Sequence, residues 1–324
     1  MQTRHLGTTG LQLTELGFGA AGIGGLYVPV GYDAAMTAMK AAWDVGMRYF
    51  DTAPYYGHGL SERRVGDFLR DKSGYVLSSK VGKLLKPVPK AQVADHGFVD
   101  PLPFAVEFDY SYDAIMRSYE VSLARLGLNR IDILYVHDLE LRSLGTGYDD
   151  HFAQFLNSGM KALEDLKSQG AIAGYGLGVN EVSAVLRVMD HARLDCLLLA
   201  GRYTLLDRTG AAKVMPRCLA AGTGVVIGGV FNSGILATGA VPGAHHDYGP
   251  PSADIIERVT TMAAEAKRQG TTLPAAAMRF VLDHPAVASV LIGSAKAGSL
   301  IRNANLLRDR SALEWAAFDT LAVT

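Results

Sequence analysis

The stretch "MRYFDTAPYYG", residues 47–57, begins like a buried strand and ends like a polar turn. Its apolar residues run directly into the carboxylate of Asp51, and a proline and a glycine then enclose Tyr56 in a segment too broken for a helix. A strand that stops at a charged side chain is informative because an unpaired charge is costly in a packed core. A solvated loop would explain this one segment, so its meaning depends on how the other strands end.

Seven more short runs share the apolar character of this strand. Each lacks the alternation of a half-buried strand, which is typical of a parallel sheet covered on both faces. The eight predicted strands are 16–20, 48–52, 75–80, 131–137, 174–179, 196–203, 224–231 and 289–294. Amphipathic helical patterns lie between them, with apolar residues at i, i+3, i+4 and i+7. This alternation, without a linker-like break, predicts a single (β/α)8 TIM barrel domain over residues 1–324.

Two additions to the plain barrel are expected. The segment "TRHLGTTGLQLTEL" (3–16) predicts an N-terminal β-hairpin that plugs one end of the barrel. Near the C-terminus, 252–269 and 274–283 predict extra helices before the last strand. The long connections 81–110 and 232–251 are expected to be functional, as long loops in compact domains usually are. The alternative, a doubly wound open sheet, is less favoured because it leaves two exposed sheet edges.

The segment "GFGAAG" (17–22) matches the glycine spacing of a dinucleotide-binding turn. Such a turn requires a helix that begins at the third glycine, and an acidic residue about 20 positions later. Here Pro29 follows and no helix is expected before about Asp33. We therefore expect these glycines to allow close approach of the backbone to a ligand or a neighbouring loop.

The composition excludes several classes of partner. Lys+Arg total 31 and Asp+Glu 32, without a long run of one sign, which argues against nucleic acid or an anionic membrane as the main partner. No apolar stretch approaches the roughly 18 residues of a spanning helix. Cys196 and Cys218 lie in apolar segments and are expected to be reduced thiols. We expect a soluble cytoplasmic protein that acts on a small molecule, of unknown oligomeric state.

Polar residues end three consecutive predicted strands, at Asp51, Lys80 and His137. Each alone has a structural explanation, but the carboxyl ends of barrel strands share one rim, where active sites of this fold lie. Asp51 can pair with Lys80, and both can face Tyr56. Making tyrosinate at neutral pH costs roughly 4 kcal/mol, and a nearby ammonium lowers that cost. Tyr56 is thus a candidate general acid/base, with His137 positioning the substrate oxygen.

The absence of a Ser or Cys nucleophile from this set favours hydride transfer coupled to proton transfer, with the hydride carried by a cofactor. The segments "FDTAPYYGHGLSE", "SSK" and "YVHD" resemble the aldo-keto reductase superfamily over nearly the whole chain. In that resemblance Asp51, Tyr56, Lys80 and His137 correspond to the family's catalytic tetrad. It implies a nicotinamide cofactor extended over the rim and no metal, and we do not interpret 245–247 ("HHD") as a metal site.

The resemblance also implies a set of cofactor-binding residues: Asn180, Phe231, Asn232, Ser233, Gly234, Gly293, Ser294, Lys296 and Asn303. Several positions depart from the family pattern. The arginine that usually binds the 2′-phosphate of NADPH corresponds to Ala295, and the neighbouring Lys296 is a point charge without a bidentate fork. These departures favour NAD, with NADP as a possible second cofactor.

The segments "FDYSYDAIMRSYEVSLARLGLNRIDILYVHDLE" and "VFNSGIL" resemble a branch of bacterial aldose 1-dehydrogenases and pyridoxal 4-dehydrogenase. The resemblance implies oxidation of an aldose hemiacetal (L-fucose, D-arabinose or L-galactose) to a lactone. Pyridoxal oxidation to 4-pyridoxolactone and general aldehyde or ketone reduction are the alternatives. Outside this class, a phosphate-binding isomerase and a redox-sensing subunit stay open. The substrate pocket is expected to contain Tyr27, Tyr55, Phe104 and Phe108, for which ordinary loop packing is an equal explanation.

Overall fold

The computed structural model describes residues 1–247 and 249–324, and its centre is a closed barrel of eight parallel strands. The chain contains strands β1 Thr3–His5, β2 Gln12–Thr14, β3 Leu16–Gly19, β4 Tyr49–Asp51, β5 Val76–Val81, β6 Lys83–Pro87, β7 Phe104–Phe108, β8 Ile133–His137, β9 Gly174–Val179, β10 Cys196–Ala200, β11 Gly224–Gly228 and β12 Val287–Ile292. The barrel follows the order β3-β4-β5-β8-β9-β10-β11-β12, and β12 pairs with β3 to close it. The predicted TIM barrel is confirmed.

The helices of the described chain surround this barrel. They are α1 Tyr32–Asp44, α2 Leu60–Leu69, α3 Tyr112–Leu126, α4 Leu141–Leu144, α5 Tyr148–Gln154, α6 Met160–Ser168, α7 Val182–Met189, α8 Val214–Ala221, α9 Ile235–Thr238, α10 Ala253–Arg268, α11 Leu273–Leu282, α12 Ala297–Leu306 and α13 Ala316–Asp319. Side-chain caps begin three of them at Ser111, Ser252 and Thr272. The two extra helices predicted before the last strand are confirmed as α10 and α11. Within the described residues, none of these helices has the length and apolarity needed to cross a bilayer.

The N-terminal hairpin of β1 and β2 closes the end of the barrel at which the strands begin. Leu6 and Leu13 are fully buried and pack in one cluster with Ile133 and Cys196, the first residues of β8 and β10. The approach is so close that a Cβ on Gly224 would lie 2.3 Å from the backbone nitrogen of Gly7. The predicted plug is confirmed, and the opposite end, where the strands finish, is left for the site.

The long connection 81–110 is an ordered structure that the sequence pattern did not predict. Strands β6 and β7 pair antiparallel, with Lys83 opposite Phe108 and Pro87 opposite Phe104. The residues between them reach the loop after β3, where Tyr27 N donates to Gly97 O at 2.9 Å and Val99 N donates to Gly25 O at 2.9 Å. We call residues 25–27 and 95–99, joined in this way, the flap.

The glycine-rich segment after β3 does not form a dinucleotide-binding turn. A Cβ on Gly17 would lie 2.6 Å from a ring carbon of Tyr49, so this glycine permits close packing inside the barrel. Gly22 begins only a three-residue 3-10 helix, Gly22–Gly24, and α1 starts at Tyr32. The expectation that these glycines allow close backbone approach agrees with this geometry.

Candidate active site

A buried ion pair lies at the carboxyl rim between β4 and β5. Lys80 Nζ lies 2.6 Å and 2.8 Å from the two carboxylate oxygens of Asp51, and it also donates to Thr52 O at 2.9 Å. Both side chains are nearly inaccessible to solvent, with 2% and 3% exposure. Ser78 donates to Asp51 Oδ1 at 2.7 Å. Burial lowers the pKa of the Lys80 ammonium, and the Asp51 carboxylate opposes that shift.

Tyr56 stands over this ion pair in the turn after β4. Lys80 Nζ lies 4.9 Å from the centroid of the Tyr56 ring. The turn is held by two glycines: a Cβ on Gly24 would lie 2.9 Å from the carbonyl carbon of Tyr56, and one on Gly57 would lie 2.3 Å from Gly24 O. Gly57 also has a φ of 62°, which disfavours other residues. Two loops thus fix the backbone of Tyr56.

His137 ends β8 and faces Tyr56. The two ring centroids are 5.8 Å apart and the rings are nearly perpendicular, at 86°. Tyr110 donates to His137 O at 2.7 Å from behind, which fixes the end of the strand. Burial lowers the pKa of His137 well below its ordinary value, the Lys83 and Lys80 charges lower it further, and Asp138 opposes them. His137 is therefore a neutral imidazole at physiological pH.

A second lysine–aspartate pair, which the sequence analysis did not identify, lies on the other side of His137. Lys83 Nζ contacts Asp138 Oδ2 at 2.5 Å, and it lies 3.9 Å from the centroid of the Tyr55 ring. Lys83 is 4% exposed and Asp138 is 16% exposed. The signals in the sequence were a second polar residue after His137 and a second lysine three positions after Lys80.

The tyrosine of this second pair is less suited to proton transfer. Burial, Asp138 and Tyr27 raise the pKa of Tyr55 to about 12. Tyr55 thus stays protonated over the physiological pH range, and its ring lies against the charge of Lys83. We expect it to serve as part of the wall rather than as an acid/base.

One cleft joins these groups. Among the described residues its lining includes Tyr27, Tyr55, Tyr56, Lys80 and His137, as well as Asp138, Asn180, His96 and Phe98. Two residues predicted for the pocket, Phe104 and Phe108, are instead placed in β7 and are absent from this described lining. The segment contributes His96 and Phe98 because it folds as a hairpin whose connection bends over the cleft. Tyr27, at a φ of 63°, lies in the flap.

Asn180 follows β9 and is held by acidic neighbours. Its Nδ2 donates to Glu140 Oε1 at 3.0 Å, and its backbone nitrogen donates to Glu140 Oε2 at 2.6 Å. Arg202 Nε donates to Asn180 O at 3.0 Å. These contacts orient the amide at the wall of the cleft, and the role of Asn180 in binding nicotinamide stays a prediction.

The loop after β11 forms a tight turn with left-handed backbone at Asn232, Ser233 and Gly234. Successive N–H groups in such turns bind anions, which suits a pyrophosphate. The Asn232 side chain serves the loop itself, because it accepts from Thr204 Oγ1 at 2.6 Å and donates to Gly201 O at 3.1 Å. Phe231, half-buried, precedes the turn.

The loop after β12 carries the remaining candidates for cofactor binding. Gly293 and Lys296 are exposed, and Lys296 immediately precedes α12, on which Asn303 lies. The Ser294 hydroxyl accepts from Lys296 N at 3.1 Å. The exposed glycine, the lysine and the uncapped helix N-terminus form a donor set that fits the anionic end of a dinucleotide.

The chain matches the aldo/keto reductase family over residues 15–322. It is 43% identical over 303 residues to pyridoxal 4-dehydrogenase of Microbacterium luteolum, covering 90% of this chain and 89% of that protein. It is 38% identical over 302 residues to D-threo-aldose 1-dehydrogenase of a Pseudomonas species, covering 91% and 89%. The structure of a glycerol dehydrogenase from Gluconobacter oxydans has a TM-score of 0.77 at 20% identity, covering 98% and 93%, a likeness that shows the fold.

The protein is an oxidoreductase enzyme. The chain belongs to the aldo/keto reductase family, which implies a nicotinamide cofactor. The resemblance inferred from the residues around Asp51, Tyr56, Lys80 and His137 is thereby confirmed at the level of the family.

Proposed function

We propose that this enzyme oxidises the anomeric hydroxyl of an aldose, in its cyclic hemiacetal form, to a lactone with NAD+. The observation that carries the proposal is the convergence of Tyr56 and His137 on one cleft, above the buried Lys80–Asp51 pair. When bound, a nicotinamide cofactor would supply the acceptor for the hydride of the anomeric carbon. The proton of the anomeric hydroxyl goes to the protein.

Tyr56 is the proposed base for that proton. Lys80 lies beside its ring and stabilises the tyrosinate form, while Asp51 compensates the buried ammonium so that it stays charged. Neutral His137 positions the anomeric oxygen, because a neutral imidazole can donate one hydrogen bond without adding a charge that competes with Lys80. General base catalysis of this kind contributes about 10²- to 10⁴-fold.

The preference for NAD rests on the loop after β12. Ala295 has no side chain that could form the paired hydrogen bonds of a guanidinium with a 2′-phosphate. The exposed Lys296 offers a charge without that geometry. NADP is therefore proposed as the weaker cofactor. The contacts proposed for Asn180 and for the turn 232–234 serve either cofactor, because NAD and NADP share the nicotinamide and the pyrophosphate.

The cleft supports an aldose through its mixture of groups. Tyr27, Tyr55 and Phe98 offer aromatic surface for the apolar face of a sugar, and Asp138 offers an acceptor for hydroxyls. Pyridoxal is the second candidate, because a pyridoxal 4-dehydrogenase is among the similar proteins and because an aromatic wall also suits a pyridine ring. Pyridoxal exists largely as a hemiacetal, so the same groups would act on it.

The test follows absorbance of reduced nicotinamide with NAD+ or NADP+ against L-fucose, D-arabinose, L-galactose and pyridoxal. We expect NAD+ reduction by at least one aldose, and a fall in kcat of about 10²- to 10⁴-fold in Tyr56→Phe. The neighbouring Tyr55→Phe is the matched control, and we expect its kcat within about threefold of wild type because Tyr55 stays protonated. If pyridoxal were oxidised and none of the aldoses were, pyridoxal would replace the aldose as the proposed substrate, and the proposed mechanism would be kept. Equal loss in both variants would refute the role of Tyr56.

A further inference from the structure

The carboxylate of Asp138 is held in the cleft by contacts that serve no part of the proton transfer described above. Its Oδ2 contacts Lys83 at 2.5 Å, and Lys83 is itself buried and fixed over the Tyr55 ring. Among residues 1–247 and 249–324, its Oδ1 has only a long contact of 3.5 Å from Asn180 Nδ2. A carboxylate has about four acceptor positions, so Asp138 retains acceptor capacity at the cleft, which it lines.

The backbone of Asp138 has a strained conformation, and its side chain lines the cleft. Its φ is 49°, in the left-handed region that few residues other than glycine adopt. Its backbone nitrogen donates to Gly178 O at 2.9 Å, which holds the turn against β9. Strained backbone of this kind persists where the surrounding structure enforces it, commonly at functional sites. At this turn the chain leaves the direction of β8 directly after His137, and the Asp138 side chain lines the cleft.

The distance between Asp138 and His137 defines what the carboxylate can reach. Asp138 Oδ2 lies 3.7 Å from His137 Nε2, too far for a hydrogen bond between them. A substrate oxygen held by His137 would lie within about 3 Å of the imidazole. Vicinal hydroxyls of a sugar are separated by a similar distance. The hydroxyl on the carbon adjacent to the anomeric carbon would therefore lie within reach of the Asp138 carboxylate.

Resting on the proposed oxidation of an aldose, we propose that Asp138, held by Lys83, determines specificity by accepting a hydrogen bond from the hydroxyl on the carbon adjacent to the anomeric carbon. A carboxylate accepts and cannot donate when ionised, so it selects a hydroxyl donor at this position. Burial disfavours the charge of Asp138, but the neighbouring His137, Lys83 and Lys80 hold its pKa below the ordinary value. Pyridoxal has an aromatic carbon without a hydroxyl at the corresponding position.

The test compares an aldose with its 2-deoxy analogue, for instance L-fucose and 2-deoxy-L-fucose, by kcat/KM with saturating NAD+. In wild type we expect the hydroxylated sugar to be preferred by about 10- to 150-fold, the range for a hydrogen bond to a charged acceptor. In Asp138→Asn the preference should fall to within about threefold, because the charge is lost while asparagine tolerates the left-handed backbone. The preference of wild type is divided by that of Asp138→Asn, so that the intrinsic difference in reactivity between the two sugars cancels.

Glu140→Gln is the matched control, since Glu140 is a second carboxylate lining the same cleft but is bonded to Asn180. We expect its preference for the hydroxylated sugar to equal that of wild type. If Asp138→Asn does not fold, the double variant Lys83→Met/Asp138→Asn leaves no buried charge unpaired and supplies the same comparison.

An unchanged preference in a folded Asp138 variant overturns the inference, as does a wild-type enzyme that oxidises both sugars equally well. Both outcomes leave aldose oxidation standing. Failure of wild type to oxidise any aldose instead refutes the proposed function, and the inference about Asp138 with it.

Discussion

Substitutions of Lys80 and Asp51 should have non-additive effects on the free energy of unfolding, whereas each of them should lower kcat. Both side chains are at most 3% exposed, with N–O distances of 2.6 and 2.8 Å. Removing one partner of a buried pair leaves an uncompensated charge, which costs about 3–5 kcal/mol. We therefore expect Asp51→Asn and Lys80→Met each to lower the free energy of unfolding by that amount.

The double variant Asp51→Asn/Lys80→Met should recover most of this loss. No buried charge then lacks a partner, and the asparagine oxygen still accepts from Ser78 as Asp51 Oδ1 does at 2.7 Å. Exchange of a whole buried pair for uncharged residues is often close to neutral. We expect the double variant within about 2 kcal/mol of wild type, which corresponds to an interaction of about 4 kcal/mol or more between the two sites.

Activity should not recover with stability. Lys80→Met and the double variant lack the ammonium proposed to stabilise tyrosinate at Tyr56, and Asp51→Asn removes the carboxylate that keeps the buried Lys80 charged. We therefore expect kcat to fall by about 10²-fold or more in each variant. Urea unfolding followed by circular dichroism measures the free energy of unfolding, and initial rates of nicotinamide reduction measure kcat. If kcat returned in the double variant, or if the two stability losses were simply additive, the assignment of Lys80 and Asp51 as one functional charge pair would be refuted.

The same cycle at Glu62 and Arg125 supplies the control. This pair is also buried at its acidic end, with Glu62 fully inaccessible and an N–O distance of 2.5 Å, but neither residue lines the cleft described above. Glu62→Gln and Arg125→Met should lower the free energy of unfolding by amounts approaching those at the rim. Their kcat should stay within about threefold of wild type, because Lys80 and its direct partner Asp51 are both retained.

Three further outcomes are expected. Because His137 has a lowered pKa, its contribution to stability is complete above about pH 6.5 and is lost as the pH falls below that value; urea unfolding should show wild type losing up to about 1.4 kcal/mol per pH unit relative to His137→Asn. Gly57→Ala should reduce kcat at least about tenfold by displacing Tyr56, whereas Gly31→Ala, with nothing within 4 Å of its Cβ, should match wild type in rate assays. Ala295→Arg should improve kcat/KM for NADP+ by about tenfold or more while that for NAD+ changes little, and no gain would argue against the placement of the 2′-phosphate there.

The strands and the charged residues at their ends could be predicted because both depend on local sequence. Apolar runs without alternation identify buried parallel strands, and Asp51, Lys80 and His137 interrupt them at one rim. The predicted ends of two strands lie three residues too far along the chain, since β10 ends at Ala200 and β11 ends at Gly228. Gly201 and Gly229 follow with φ of 70° and 59°, a change of backbone direction that continued apolar composition conceals.

Tyr27 and Tyr55 were predicted for the wall of the cleft and line it, but the part of the wall from residues 81–110 could not be predicted because it depends on where this segment folds. Strands β6 and β7 contain Pro87 and only partly buried residues in β7, so no local pattern distinguishes them from a loop. Their pairing determines that Phe98 turns inward and is 7% exposed, while Phe104 and Phe108 stay in β7. Aromatic content indicated a substrate wall, but the choice among the aromatic residues was made by long-range backbone pairing.

The two tyrosines of the cleft show why similar neighbours need not give similar chemistry. Tyr55 and Tyr56 each have a lysine over or beside the ring, Lys83 at 3.9 Å and Lys80 at 4.9 Å. For Tyr55 the pKa is raised to about 12, since burial and the Asp138 carboxylate both disfavour its anion. The Asp51 carboxylate, by contrast, accepts hydrogen bonds from Lys80 and Ser78, and its charge is directed into those donors. A tyrosine assigned by proximity to lysine alone would be ambiguous here. The position of each paired carboxylate, in the cleft for Asp138 and under Lys80 for Asp51, supports the proposal that Tyr56 transfers the proton and that Asp138 recognises the substrate on the other side of His137.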